Sequence, residues 1–262
     1  AVAGRIETAQ AIVDTLPAAP GSESLLEGLR RILLGVSLLK EVSPATSDLT
    51  LSHGERLSAL AVAAAITAAG TKARAVDARA LIRSTADFGN AEVLWPTTEA
   101  AIQRASQGWR GIVPVVTGFI ASADGDRTTT LGRGGSDYTA TLLGRALSAT
   151  EVQIWTDVPG VMTADPALVA AARPIRRMSY GEALELSVFG GRVLHPKSLL
   201  PLIDSQITLR VRNTLNPSDP GTLVDGTGRP DAEHATSVTS LEQLALFDLQ
   251  VLKVNDGPEL GE

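Results

Sequence analysis

The sequence predicts an α/β protein, a three-layer αβα sandwich around a mainly parallel central sheet. Three observations carry that prediction. Short apolar runs of strand character, at 113–120, 151–157 and 207–213, alternate with segments whose apolar residues recur at helical spacing, the order expected of parallel βα units. A glycine-rich turn, Gly132-Arg133-Gly134-Gly135, joins the first of these strands to a helical segment carrying Ala140, Leu143 and Leu147. At 262 residues the chain can bury the core such a sandwich needs, as one large domain with a small appendage.

Taken in order, residues 1–16 place Ile6, Ala9, Ile12, Val13 and Leu16 in helical register before the breaker Pro17-Ala18-Ala19-Pro20-Gly21. Leu25, Leu26, Leu29, Ile32, Leu33, Val36 and Leu39 mark a second helix, whose apolar stripe needs a partner to cover it. Ser43-Pro44 is read as the start of a polar loop ending at Leu51. Ser52-His53-Gly54-Glu55 then opens an alanine-rich third helix that Gly70 ends. A short strand at 73–77, a loop at Asp87-Phe88-Gly89-Asn90 and a helix at 97–106 lead to the strand at 113–120. Beyond the glycine turn and its helix come the strand 151–157, helices starting at Ser179 and at His195-Pro196, and the alternating strand 207–213. Asp225-Gly226-Thr227-Gly228-Arg229-Pro230-Asp231 reads as linker, and 245–252 as one further strand. The resulting organisation is a domain at 1–224, a linker at 225–236 and the start of an incomplete region at 237–262.

Composition narrows the function. The hydrophobic share of 44% is spread over short runs, none near the roughly 18 residues a membrane helix needs. No secretion core follows Ala1 and there is no cysteine, so a cytoplasmic location is expected. A net charge of −6 argues against a nucleic-acid surface, which needs clustered basic side chains. An anionic substrate would have to be held by local arginines.

The glycine turn is the candidate site. Glycines let backbone approach a ligand, and free N–H groups at a helix start favour an anion. The pattern is neither the spaced triple glycine of dinucleotide folds nor a Walker loop, so a phosphate cradle and a plain surface turn both remain open on spacing alone. Glu55 stands three residues after Ser52 and Glu182 three after Ser179, the spacing of capping boxes. Asp157, at a strand end, could cap the turn at Pro159-Gly160. His53, His195 and His234 lack metal-ligand spacing and read as structural or exposed, and no Gly-x-Ser-x-Gly elbow exists.

Three stretches, Thr117-Gly118-Phe119-Ile120, Thr128 through Ala140, and Trp155-Thr156-Asp157-Val158-Pro159-Gly160-Val161-Met162-Thr163-Ala164-Asp165-Pro166, resemble the aspartate kinase family in sequence and in order. Ser52 through Ser58, Phe88-Gly89-Asn90-Ala91, Phe189 through Pro196 and Val211 through Thr214 add to the resemblance, which runs from about residue 25 to 224. It implies an amino-acid kinase fold and transfer of the γ-phosphoryl of ATP, with Mg²⁺, to the side-chain carboxylate of L-aspartate. The product would be 4-phospho-L-aspartate, on the route to lysine, threonine and methionine. A homo-oligomer, a dimer, is expected.

Carried over residue by residue, the resemblance puts Gly132, Gly134, Gly135 and Ser136 along the phosphate and substrate loop. Asp137 would organise the reaction centre, a metal ion being one route. Arg133 would clamp a substrate carboxylate, Glu55 would bind the ammonium, and Phe119 would border the substrate. Thr156 and Asp157, with Met162 and Asp165 on the loop that follows, would hold the nucleotide together with Arg192; no residue is assigned as a metal ligand. The sequence departs from the family in having no Lys-Phe-Gly-Gly-Thr-Ser loop; its lysines are Lys40, Lys72, Lys197 and Lys253. Two central strands are therefore expected to be absent, the fold being incomplete at its N-terminus. Residues 237–248 resemble the first strand of an ACT regulatory region. Two other readings stand beside the kinase: a catalytically silent relative that binds nucleotide or aspartate or acts as a regulatory subunit, and a kinase of this fold acting on another carboxylate or a nucleotide.

Overall fold

Leu26, Leu29, Leu33 and Val36 are the side chains that helix α1 (Glu23–Leu39) buries, so the stripe legible in the sequence is the packed face. The computed structural model describes residues 19–189, 193–228 and 236–240. The helix expected at 1–16 and the strand expected at 245–252 lie outside them. α1 packs on α2 (Pro44–Ala68), which begins eight residues earlier than Ser52. The expected loop from Ser43 to Leu51 is helix instead. Ser43 Oγ accepts the N–H of Thr46 at 3.1 Å, and Pro44 occupies the first helical position, where an N–H would be unpaired anyway. Ser52 is thus mid-helix, its hydroxyl donating to Leu49 O at 2.7 Å, and the capping box expected with Glu55 does not form.

β1 (Ala73–Val76) runs through α3 (Trp95–Ser106) to β2 (Val113–Val116), which pairs with it in parallel, Ala73 opposite Val113 and Val76 opposite Val116. The strand expected to continue to Ile120 stops at Val116. Thr117 Oγ1 instead accepts the N–H of Ala78 at 2.8 Å, and Phe119 adopts a left-handed backbone with φ 69°. The chain then folds into an antiparallel hairpin, β3 (Ile120–Ala123) and β4 (Arg127–Thr130), closed by Asp124-Gly125-Asp126. The hairpin was not foreseen, although Asp-Gly is a turn signal.

α4 (Gly135–Ala146) leads to β5 (Glu151–Thr156). β6 (Arg177–Ser179), α5 (Tyr180–Val188), α6 (Pro196–Ser205), β7 (Thr208–Asn213) and β8 (Thr222–Asp225) complete the described α-helices and strands. The last four strands form a sheet in the order β5-β7-β8-β6, with β5/β7 and β6/β8 parallel and β7/β8 antiparallel. β6 and β8 are additions to the expected elements. Asp225, expected to open a linker, ends β8 and accepts the Arg177 guanidinium at 3.0 and 2.6 Å. Glu182 does form its capping box with Ser179.

Two apolar clusters hold this α/β arrangement. One joins Ile82, Ile102, Ile120, Leu131 and Leu142; the other joins Ile154, Met178, Leu199, Leu209 and Val224. α4 serves both, with Leu142 and Ala146 in the first and Ala140 against the second. Gly144 permits this closeness, since a Cβ there would come within 2.4 Å of Val152 Cγ2.

Candidate active site

The loop between β4 and α4 is shaped by its glycines. Gly132 and Gly134 have φ of 75° and 70°, a conformation that side chains rarely adopt. A Cβ on Gly132 would lie 2.5 Å from Asn90 Oδ1, and one on Gly134 2.6 Å from His195 Cβ. No side chain caps the start of α4; the Gly135 N–H closes the turn on Gly132 O at 3.0 Å, which leaves the N–H groups of Ser136 and Asp137 for an anion. Arg133 projects from the middle of the loop, exposed, with no hydrogen bond or ion pair among the described residues.

The turn after β2 closes on this loop. Gly118 lies so near Ser136 that an added Cβ would be 2.7 Å from Oγ, and the Phe119 ring covers Gly135. Phe119 also donates its N–H to Thr139 Oγ1 at 3.1 Å and accepts from Leu131 N at 2.9 Å. From α2, the Glu55 carboxylate faces the backbone N–H of Gly118. Glu55, Phe119, Arg133, Ser136 and Asp137 therefore stand around one turn and one loop.

Electrostatics set the two carboxyls apart from surface acids. Burial pushes the Asp137 carboxyl above its ordinary value, and Asp137 has no hydrogen-bonding partner among the described residues. Burial also raises Glu55, and the Gly118 N–H partly offsets it. His195 is lowered by burial and by the nearby Lys197 and Arg133 cations, which favours the neutral imidazole. Its Nδ1 accepts the Lys197 N–H at 3.3 Å at the start of α6, the structural role expected of it.

Residues that sequence reasoning passed over complete the rim. Lys197 Nζ donates to Asn90 Oδ1 at 2.5 Å. Asp48, buried in α2, accepts from Gly89 N at 2.9 Å, Thr130 N at 2.8 Å and Thr130 Oγ1 at 3.0 Å. No spacing signal marks Asp48, and the segment was read as a loop.

The residues expected to hold nucleotide form a second group. Thr156 ends β5, its hydroxyl donating to the exposed Asp157 at 3.2 Å. Met162 is half-buried in the excursion that follows, where its carbonyl accepts from Ser237 Oγ at 2.9 Å. The Asp165 carboxylate accepts the N–H of Ala167 at 2.9 Å and so forms a turn. Arg192 lies outside the described residues. No hydrogen bond joins this group to the glycine loop among the described residues.

A parallel βα arrangement whose glycine-shaped loop opens a helix, with a carboxylate, a guanidinium and an aromatic ring around it, places the chain in the α/β class with its candidate site at a strand-to-helix junction. Residues 8–213 match the Amino acid kinase family, and the chain belongs to it. Within that family, the chain is 39% identical to the chloroplastic aspartokinase 1 of Arabidopsis thaliana over 228 residues, covering 86% of this chain and 40% of that protein. It is 42% identical to the lysine-sensitive aspartokinase 3 of Escherichia coli over 205 residues, 76% of this chain and 45% of that one. The crystal structure of E. coli aspartokinase III in complex with aspartate and ADP superposes with a TM-score of 0.73, covering 78% of this chain and 45% of that one. The chain thus spans less than half the length of these relatives. Among the described residues, no helix is long and apolar enough to cross a membrane.

Proposed function

We propose that this chain provides the catalytic region of an ATP-dependent aspartate kinase, making 4-phospho-L-aspartate on the route to lysine, threonine and methionine. The observation that carries the reading is the convergence of Glu55, Phe119, Arg133, Ser136 and Asp137 on one glycine loop, in a chain similar to aspartokinases. The acceptor carboxylate, with a pKa of about 3.9, is ionised at neutral pH and needs no general base. The difficulty is bringing two anions together. Main-chain N–H groups at the start of α4 hold developing phosphoryl charge, and Arg133 offers its planar fork to a substrate carboxylate. Glu55 takes the substrate ammonium, whose charge would stabilise its ionised form. Phe119 walls the site, while Thr156, Asp157, Met162, Asp165 and Arg192 form the nucleotide side.

The described residues include no group of three or more potential metal ligands. A Mg²⁺ carried by nucleotide phosphates takes one or two carboxylates from the protein. Asp137 fits that part. Bound there, Mg²⁺ would neutralise charge on the transferring group and its leaving phosphate.

The catalytic unit is proposed to run through the turn at Gly228, with a separate region following at 237–262. We also propose a cytoplasmic homodimer, tested by fractionation and light scattering. Calorimetry with L-aspartate and with Mg-ADP, followed by hydroxylamine trapping of the acyl phosphate, tests the main reading. Arg133→Ala should abolish aspartate binding and leave Mg-ADP affinity within a few-fold. Unchanged aspartate binding would refute the Arg133 assignment, and binding of both ligands without turnover would favour a silent relative.

A further inference from the structure

We propose that Asp48 is a positioning residue: from inside α2 it fixes the Asn90 turn and the first residues of the glycine loop relative to Glu55, and so sets where Gly132 and Arg133 stand. Its effect on ligands rests on the reading above; its effect on the loop does not.

Asp48 is 2% exposed, and burial of a carboxylate is tolerated where donors surround it. Its three donors come from two segments far along the chain, Gly89 and Thr130. Both segments border the loop. Thr130 precedes Gly132 by two residues. Gly89 precedes Asn90, whose Oδ1 is what a Cβ on Gly132 would strike at 2.5 Å. Gly132 therefore lies against a turn that Asp48 holds from behind, and Lys197 ties the front of that turn to α6.

Helix geometry explains why α2 is suited to this. Asp48, Ser52 and Glu55 follow one another at i, i+4 and i+7, so they share a face, with Asp48 and Glu55 about 10 Å apart along the axis. At one end of that face Glu55 faces the N–H of Gly118, after β2. At the other Asp48 accepts from Thr130, at the end of β4. One rigid helix thereby sets the distance between the two chain segments that form the substrate side of the cradle. Among the described residues the hydrogen bonds of Asp48 go to Thr130 and Gly89, and it acts through them.

The test compares Asp48→Ala, Asp48→Asn and Thr130→Val in the 262-residue chain. Asparagine is nearly isosteric: its oxygen can accept both N–H groups and its amide can donate to the Thr130 hydroxyl. Asp48→Ala should speed amide exchange at 89–91 and 131–136 well beyond its effect on β5 or β7, and weaken L-aspartate and Mg-ADP binding by about tenfold or more. Asp48→Asn should restore both to within about threefold of wild type, and Thr130→Val, losing one bond of three, should fall between. Uniformly faster exchange with ligand affinities unchanged would overturn the proposal and leave Asp48 a stabilising residue only. So would an Asp48→Asn variant as impaired as Asp48→Ala. If the wild-type chain binds neither ligand, the kinase reading fails, and the exchange measurements on Thr130→Val and Asp48→Asn still decide the positioning role.

Discussion

Gly118→Ala measures how closely the β2 turn must fit the start of α4. The added Cβ would lie 2.7 Å from Ser136 Oγ, 2.9 Å from its Cβ and 3.0 Å from its Cα. The hydroxyl can rotate away; the Cα cannot. Carbon atoms pack at about 3.5 Å or more, so the two backbones must separate by about 0.5 Å. Gly118 is not in the left-handed region, so alanine meets no conformational penalty and the effect is steric. Overpacking of this kind destabilises by about 1–3 kcal/mol. If a 1 Å misplacement is worth about 100-fold, half of that is worth about tenfold in binding or turnover. Calorimetric titration with L-aspartate in the presence of Mg-ADP, beside thermal melting, reads both quantities. Gly54→Ala is the control, because it stands in open space within α2 and should gain about 0.5–1 kcal/mol without altering affinity. If Gly118→Ala melts and binds like wild type, the contact between Gly118 and Ser136 does not shape the site.

Two further outcomes follow from the charges. Lys197→Ala removes one of the cations that hold the His195 imidazole below its ordinary value, so the His195 pKa should rise, though burial keeps it from rising fully; an NMR titration that shows no change would place Lys197 away from the loop. Asp225 is held at about 2 against an ordinary 3.8 because the Arg177 guanidinium, Thr227 and the Gly228 N–H together outweigh its burial. With the folded value depressed, its stabilisation is complete above the unfolded value and is lost as pH falls from about 4 towards 2, by about 1–2 kcal/mol once solvent screening is allowed for. Denaturation at pH 5 and pH 2.5 should show this loss in wild type and little of it in Asp225→Asn; equal losses would remove Asp225 as the cause.

The fold was legible where periodicity was long. α1 and α4 announce themselves through apolar residues at helical spacing, β5 through a short apolar run and β7 through alternation. The start of α2 was misread because Ser-Pro opens loops and helices alike, and only the Ser43 hydroxyl on the Thr46 N–H decides between them. β6 and β8, of three and four residues, are too short to carry a pattern. In the site, the loop residues could be found because they are contiguous. Asp48, Asn90 and Lys197 could not, since only folding unites positions 82 and 107 residues apart. Asp165 shows the converse: it lies within a motif, yet its carboxylate forms a local turn.

α4 borders both apolar clusters, and its first turn is the floor of the proposed cradle. A loosening in either half of the molecule therefore reaches the same few N–H groups. Mutations remote from any ligand, at Leu142 on one side or Leu199 on the other, would be felt as changed affinity before they were felt as unfolding. In this chain, robustness of the interior and accuracy of recognition are one property.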